Sequence, residues 1–143
     1  MSEQCKPIKR NEILIPRSKE HHNALILAQV LKRNPHGYKG IPESVEEKIN
    51  YAMFFFRHHL LPHFREEEML MARVQGCNED VDDLCAAIIQ EHAILKNLFG
   101  GLNSSEDADA AMHASGELLE KHIRKEERHL FPLIEKYCLH KLI

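Results

Sequence analysis

Residues 111–137 read AMHASGELLEKHIRKEERHLFPLIEKY. Within them Ala111, Ser115, Leu118, His122, Glu126, Leu130, Leu133 and Tyr137 recur every three or four residues, the period of one face of an α-helix. A second stretch repeats the pattern with Ile49, Met53, Phe56, Leu60, His63, Glu67, Leu70 and Val74. Each face is largely apolar, and at one turn a histidine and a glutamate four residues later stand in place of Leu or Ile. No segment shows sustained β alternation. The expected fold is all-α, an up-down-up-down antiparallel four-helix bundle, because short connections force neighbouring helices to run antiparallel.

Breakers and caps set the other boundaries. The segment between Pro16 and Pro35 lacks Gly and Pro and is rich in Ala, Leu and Gln, so it is a helix with Ser18 as its expected N-cap. Asn34-Pro35-His36-Gly37 is the expected stop, with a loop to Pro42. Ser44-Val45-Glu46-Glu47 reads as a capping box opening a second helix to about Gln75, ended by Gly76 and bent at Pro62. Asn78 caps a third helix whose first turn carries Glu79, Asp80, Asp82 and Asp83, and Gly100-Gly101 closes it. Ser104 or Ser105 opens the fourth, which runs to about Tyr137 with a bend near Pro132. The bundle is thus expected over 17–143, after an extension, 1–16, that either packs on it or hangs free.

A chain of 143 residues, 43% hydrophobic and 29% charged, suits one packed domain. A net charge of −3 with no basic stripe excludes a nucleic-acid footprint. No apolar run approaches the ~20 residues that span a bilayer, and the start is charged and proline-broken, so no membrane partner is expected and the cytoplasm is the expected location. Cys5, Cys77, Cys85 and Cys138 form no CxxC pair and read as free thiols in a reducing compartment. The abnormal count is 11 histidines, which points to metal binding or pH sensing.

Burying a carboxylate beside an imidazole is costly unless something compensates, and a metal ion does so by accepting both donors. The i,i+4 spacing of His63/Glu67 and His122/Glu126 puts each pair on one helix face, within reach of one centre. The third helix adds His92 in its stripe of Leu84, Ile88, Leu95 and Phe99. The first adds His21 or His22, and matching Leu25 after His22 to Leu95 after His92 favours His22. A single HxxxE is usually a surface pair. The duplicated order His–HxxxE–His–HxxxE selects the metal reading, with His22, His63, Glu67, His92, His122 and Glu126 as ligands. His59 and His129 are rim residues, extra ligands or donors that orient a glutamate. Glu91 is either an imidazole partner or a solvated surface glutamate, and His36, His58, His113 and His140 look exposed. Phe54-Phe55-Phe56 is core packing or a shield for the centre.

On Glu-His-His-Asn-Ala-Leu at 20–25, His-Phe-Arg-Glu-Glu-Glu at 63–68, Glu-His-Ala-Ile-Leu at 91–95 and His-Ile-Arg-Lys-Glu-Glu-Arg-His-Leu-Phe-Pro at 122–132, the chain resembles the bacterial hemerythrin-like, or HHE cation-binding, domain over residues 17–138. The resemblance implies two non-haem iron ions in the bundle core, bridged by Glu67 and Glu126, with His22, His63, His92 and His122 as terminal ligands. Oxygen-carrying invertebrate hemerythrins use five histidines, with an HxxxH pair on the third helix and an aspartate on the fourth. Here Lys96 stands four residues after His92, and the fourth helix offers Glu126. That departure resembles domains linked to iron handling, nitric-oxide stress and sensing, and argues against plain reversible oxygen carriage.

Imidazole and carboxylate donors favour iron, with manganese and zinc as permitted substitutes. Six ligands shared by two ions leave open positions, so the expected partner is O2, NO or peroxide. The alternatives are a metal-stabilised storage or interaction module with an inert site and a diiron enzyme with peroxidase- or oxidase-like turnover. No separate substrate motif is present, which places the enzyme behind the binding protein. A homodimer or another protein partner is left open.

Overall fold

Local capping explains where the helices begin and end in the computed structural model, which describes residues 10–32 and 44–143. The expected stop at Asn34-Pro35-His36-Gly37, the loop to Pro42, Cys5, His36 and positions 1–9 of the extension lie outside the described residues. Helix α1 (Ile15–Lys32) starts earlier than expected. Asn11 takes the capping role: its Oδ1 accepts from Ile13 N–H and its carbonyl from Leu14 and Ile15 N–H. Ser18 therefore lies inside the helix, and its hydroxyl donates to Glu127 at 2.7 Å instead. Residues 10–14 pack on the bundle, with Leu14 fully buried and Arg10 paired to Glu127 and Glu135.

The second rod comprises α2 (Val45–Phe55), a π turn (Phe56–Leu60) and α3 (Leu61–Val74). Ser44 caps it by accepting from Glu47 N–H at 3.1 Å, and Gly76 ends it in the left-handed region at φ +82°, where a Cβ would be strained. Asn78 caps α4 (Glu79–Gly100). The fourth rod comprises α5 (Ala108–Lys125), a π turn (Glu126–Leu130), α6 (Phe131–Leu133) and a second π turn (Ile134–Cys138). Its N-cap is Asp107, whose carboxylate accepts from Ala110 N–H. Ser104, one of the two expected caps, is the last residue of a short 3-10 turn. No strand occurs among the described residues.

Both internal prolines follow a π turn. Leu61 and Phe131, the residues before them, donate five residues back to Phe56 and Glu126. The widened turn places Pro62 and Pro132 in the first turn of a resumed helix, where the missing N–H is tolerated. The π turns also reset the buried face. His122, Glu126, Leu130, Ile134 and Cys138 are all buried at steps of four, which would drift about 160° around a straight α-helix. This corrects the end of the stripe read from the sequence: Tyr137 is 43% exposed and Cys138 is buried in its place.

Two apolar clusters sandwich a polar layer. One contains Ala24, Leu27, Phe64, Leu95 and Ile123, and the other Leu14, Met71, Ile88 and Leu130. Followed along the chain, α1 passes from the second cluster to the first, the second rod returns, α4 passes back and the fourth rod returns again. That alternation is the up-down-up-down topology. Helices α1 and α5 approach closely at Gly116, where an added Cβ would lie 2.7 Å from the Ala28 carbonyl oxygen.

Candidate metal centre

The layer between the clusters is made of His21 on α1, His63 and Glu67 on α3, His92 on α4, His122 on α5 and Glu126 at the first position of the π turn. None is more than 3% exposed. All four imidazoles turn Nε2 inward. His63 Nε2 lies 2.9 Å from Glu67, His122 Nε2 2.9 Å from Glu126, and His21 and His92 Nε2 each 3.2 Å from Glu67. The donors fall into two groups, His21/His63/Glu67/Glu126 and Glu67/His92/His122/Glu126, each with its ligand atoms within 4.8 Å of one another. Glu67 and Glu126 belong to both.

The first-helix histidine is a correction. His22 is exposed, and His21 occupies the cluster. The inward face of α1 is Ala24, Leu27, Ala28 and Leu31, so the histidine three before Ala24 is the one that points in. Leu25, used to align the sequence, is only half-buried. The structure brings His63, Glu67, His92, His122 and Glu126 together as one cluster. His59 and His129 are exposed and stay outside it, as are His58, His113 and His140. Of the phenylalanine run, Phe54 is exposed at 59%, whereas Phe56 stacks on Phe99 with centroids 4.9 Å apart.

Four further carboxylates hold the outer nitrogens. His63 Nδ1 bonds to Glu20 at 2.8 Å, His92 Nδ1 to Glu68 at 2.6 Å, His122 Nδ1 to Glu91 at 2.9 Å and His21 Nδ1 to Glu127 at 2.8 Å. Each carboxylate comes from the rod before that of its histidine, and Glu127 closes the ring from the fourth rod to the first. Glu91, for which a solvated role was one expectation, is an imidazole partner and also meets Lys125. The sequence carried the signal for this ring in two doublet types: Glu20-His21 and Glu91-His92, then Glu67-Glu68 and Glu126-Glu127. Such partners fix the ring orientation and the tautomer, and raise ligand basicity.

Electrostatics follow from this density of acids. Burial opposes charge on His21, but Glu126, Glu127 and Glu67 outweigh it and hold its pKa up to about 12. Burial likewise opposes charge on His122, and Glu126 and Glu91 raise its pKa to about 9. Burial would lift the Glu67 carboxyl, yet the histidines at 21, 63 and 92 hold it well below the ordinary range. With no cation bound, protons on His21 and His122 thus supply positive charge to the layer.

The same layer fits a cation group. His63 Nε2, His122 Nε2 and both Glu126 oxygens are buried without a hydrogen-bond partner. The 2.9 Å contacts of these imidazoles are charge contacts without hydrogen-bond alignment. Buried orphan atoms of this kind are rare in folded proteins. Imidazole nitrogen and carboxylate oxygen converging on shared points suit a first-row transition ion.

In comparison with known families, the model described as Hemerythrin HHE cation binding domain matches residues 18–134. No curated protein and no solved structure matches the chain.

Proposed function

The chain belongs to the hemerythrin HHE cation-binding family, and from that premise we propose that its polar layer holds two iron ions and serves to bind or respond to O2, NO or peroxide, or to handle iron. The observation that carries the reading is the two-by-two donor set, in which each group pairs two imidazoles with the same two carboxylates. Glu67 and Glu126 would bridge, and His21, His63, His92 and His122 would be terminal, with manganese or zinc as permitted substitutes. An iron pair there would supply redox chemistry and open positions for a small diatomic molecule or peroxide.

The chain's own residues prepare that site. The Nδ1 anchors hold each Nε2 inward. Phe64 stacks on His92 at 4.0 Å and Phe131 lies parallel to His21 at 5.8 Å, so aromatic faces exclude water from both sides of the layer. Lys96 is exposed, leaving α4 with a single inward histidine.

The test is metal content followed by anaerobic reduction and exposure to O2 and NO. Bound iron at one ion per donor group, with optical bands of a bridged diiron centre that respond to the gases, supports the reading. Zinc loading with no spectral response favours an inert storage or interaction module, and sustained peroxide consumption favours an enzyme. Glu67→Ala and Glu126→Ala should each impair loading of both positions and lower thermal stability, since bound metal stabilises the fold by linkage. Normal occupancy in these variants would remove the bridging role.

A further inference from the structure

Three free thiols gather in the apolar cluster on the Leu14 side of the polar layer: Cys77, Cys85 and Cys138. Cys77 sits in the turn between α3 and α4, after Gly76 and before the cap Asn78. Its thiol donates to the Tyr137 carbonyl at 3.1 Å. That carbonyl belongs to the peptide that joins Tyr137 to Cys138, so the Cys77 sulfur lies one peptide unit from Cys138, in the same apolar cluster. Cys77 is half-buried, whereas Cys138 is fully buried.

We propose that Cys77 and Cys138 are a redox-active pair, a site of reversible disulfide formation by hydrogen peroxide that ties the α3–α4 turn to the C-terminal π turn. The partly accessible Cys77 reacts first. Its thiolate attacks one peroxide oxygen, the O–O bond breaks, and the departing hydroxide takes a proton to become water, leaving a sulfenic acid. The Cys138 sulfur then attacks the Cys77 sulfur, and the S–O bond breaks. The second hydroxide leaves with the Cys138 proton as water. Two thiols lose two electrons and one peroxide becomes two waters. Burial pushes the Cys138 thiol up to about 12, so it stays protonated until Cys77 has reacted. Cys85 is buried on α4, whereas the Cys77 thiol is bonded to the carbonyl beside Cys138, so Cys138 is the partner.

The pair needs no cation in the polar layer, so its test stands apart from the metal reading. The full chain, metal-loaded and chelator-treated in parallel, is exposed to a few equivalents of hydrogen peroxide. Its free thiols are then alkylated, and the chain is cleaved after glutamate, since Glu79 separates Cys77 from Cys85. The expected product in both samples is a Cys77–Cys138 linked peptide about 2 Da lighter than its two parts, restored by a dithiol reductant. The bridge should persist in Cys85→Ser and vanish in Cys77→Ser, a change at the half-buried position that leaves the core intact. Sulfinic acid on Cys77 without a bridge, a Cys77–Cys85 link or an intermolecular dimer would overturn the proposal.

Discussion

Glu127 follows Glu126 in the chain but faces the other way: Glu126 points into the polar layer, and Glu127 accepts from Nδ1 of His21 at 2.8 Å across the bundle. Adjacent residues on a helix point about 100° apart. One doublet therefore serves the centre from inside and the ring from outside, and Glu67-Glu68 does the same for His92.

The ring should be measurable separately from the ligands. Glu127→Gln keeps an acceptor oxygen but removes the charge that orients His21, while Ser18 and Arg10 keep partners near it. Metal affinity should fall about 10–100-fold with the helix content unchanged. Competition against a chelator of known affinity, with circular dichroism in parallel, reads both. Unchanged affinity would make the ring a packing feature only.

His21 and His22 give the sharpest contrast. His21→Ala removes a donor from one of the two groups and should reduce bound metal toward half of the normal content. His22→Ala changes an exposed side chain and should leave metal content and stability unchanged. Elemental analysis of the two variants decides between them, and the opposite result would restore the assignment read from the sequence.

The fold was legible because the sequence carried period and punctuation together. Gly76, Asn78 and the Gly100-Gly101 pair end and begin helices where they were expected to. What sequence could not give was the exact rotation of each helix. His21 against His22 turns on a 100° step that only the packing of Ala24 and Leu27 resolves. Tyr137 against Cys138 turns on π turns, which period counting at 3.6 residues does not foresee. Of the outer carboxylates only Glu91 reads as a candidate imidazole partner in the sequence, because Glu20 and Glu68 are partly exposed and resemble ordinary surface acids until the neighbouring helix is in place.

Loading of the centre should release protons. Without cations His21 and His122, with pKa values near 12 and 9, are protonated at neutral pH, and a cation can bind only after displacing those protons. Affinity should therefore rise with pH, and titration calorimetry at pH 7.5 should show a heat that depends on the buffer's ionisation enthalpy. The metal-free fold has the opposite sign. A raised histidine contributes stability fully below its unfolded value near 6.5, and that contribution is lost as pH rises through the folded value. The melting temperature of chelated protein should fall between pH 6.5 and about 9, the range set by His122, while loaded protein resists the fall. Parallel pH profiles of the two forms would remove this account of the layer.

Gly116 tests the packing that holds α1 in place. A Cβ there would meet the Ala28 carbonyl oxygen at 2.7 Å, Lys32 Cγ at 2.8 Å and Leu31 Cβ at 3.2 Å. The Lys32 side chain can move, but only by disturbing its 2.5 Å bond to the buried Glu120, and the backbone oxygen can move only with the helix. Gly116→Ala should thus destabilise the protein by about 1–3 kcal/mol despite the higher helix propensity of alanine. Gly100→Ala is the matched control, because a Cβ at that position meets nothing within 4 Å. Urea unfolding midpoints should fall for the first variant and hold or rise for the second. Because α1 also carries His21 into the layer and Glu20 to the outer nitrogen of His63, Gly116→Ala should weaken metal loading as well, linking a contact at Ala28 and Leu31 in the first apolar cluster to the chemistry of the neighbouring layer.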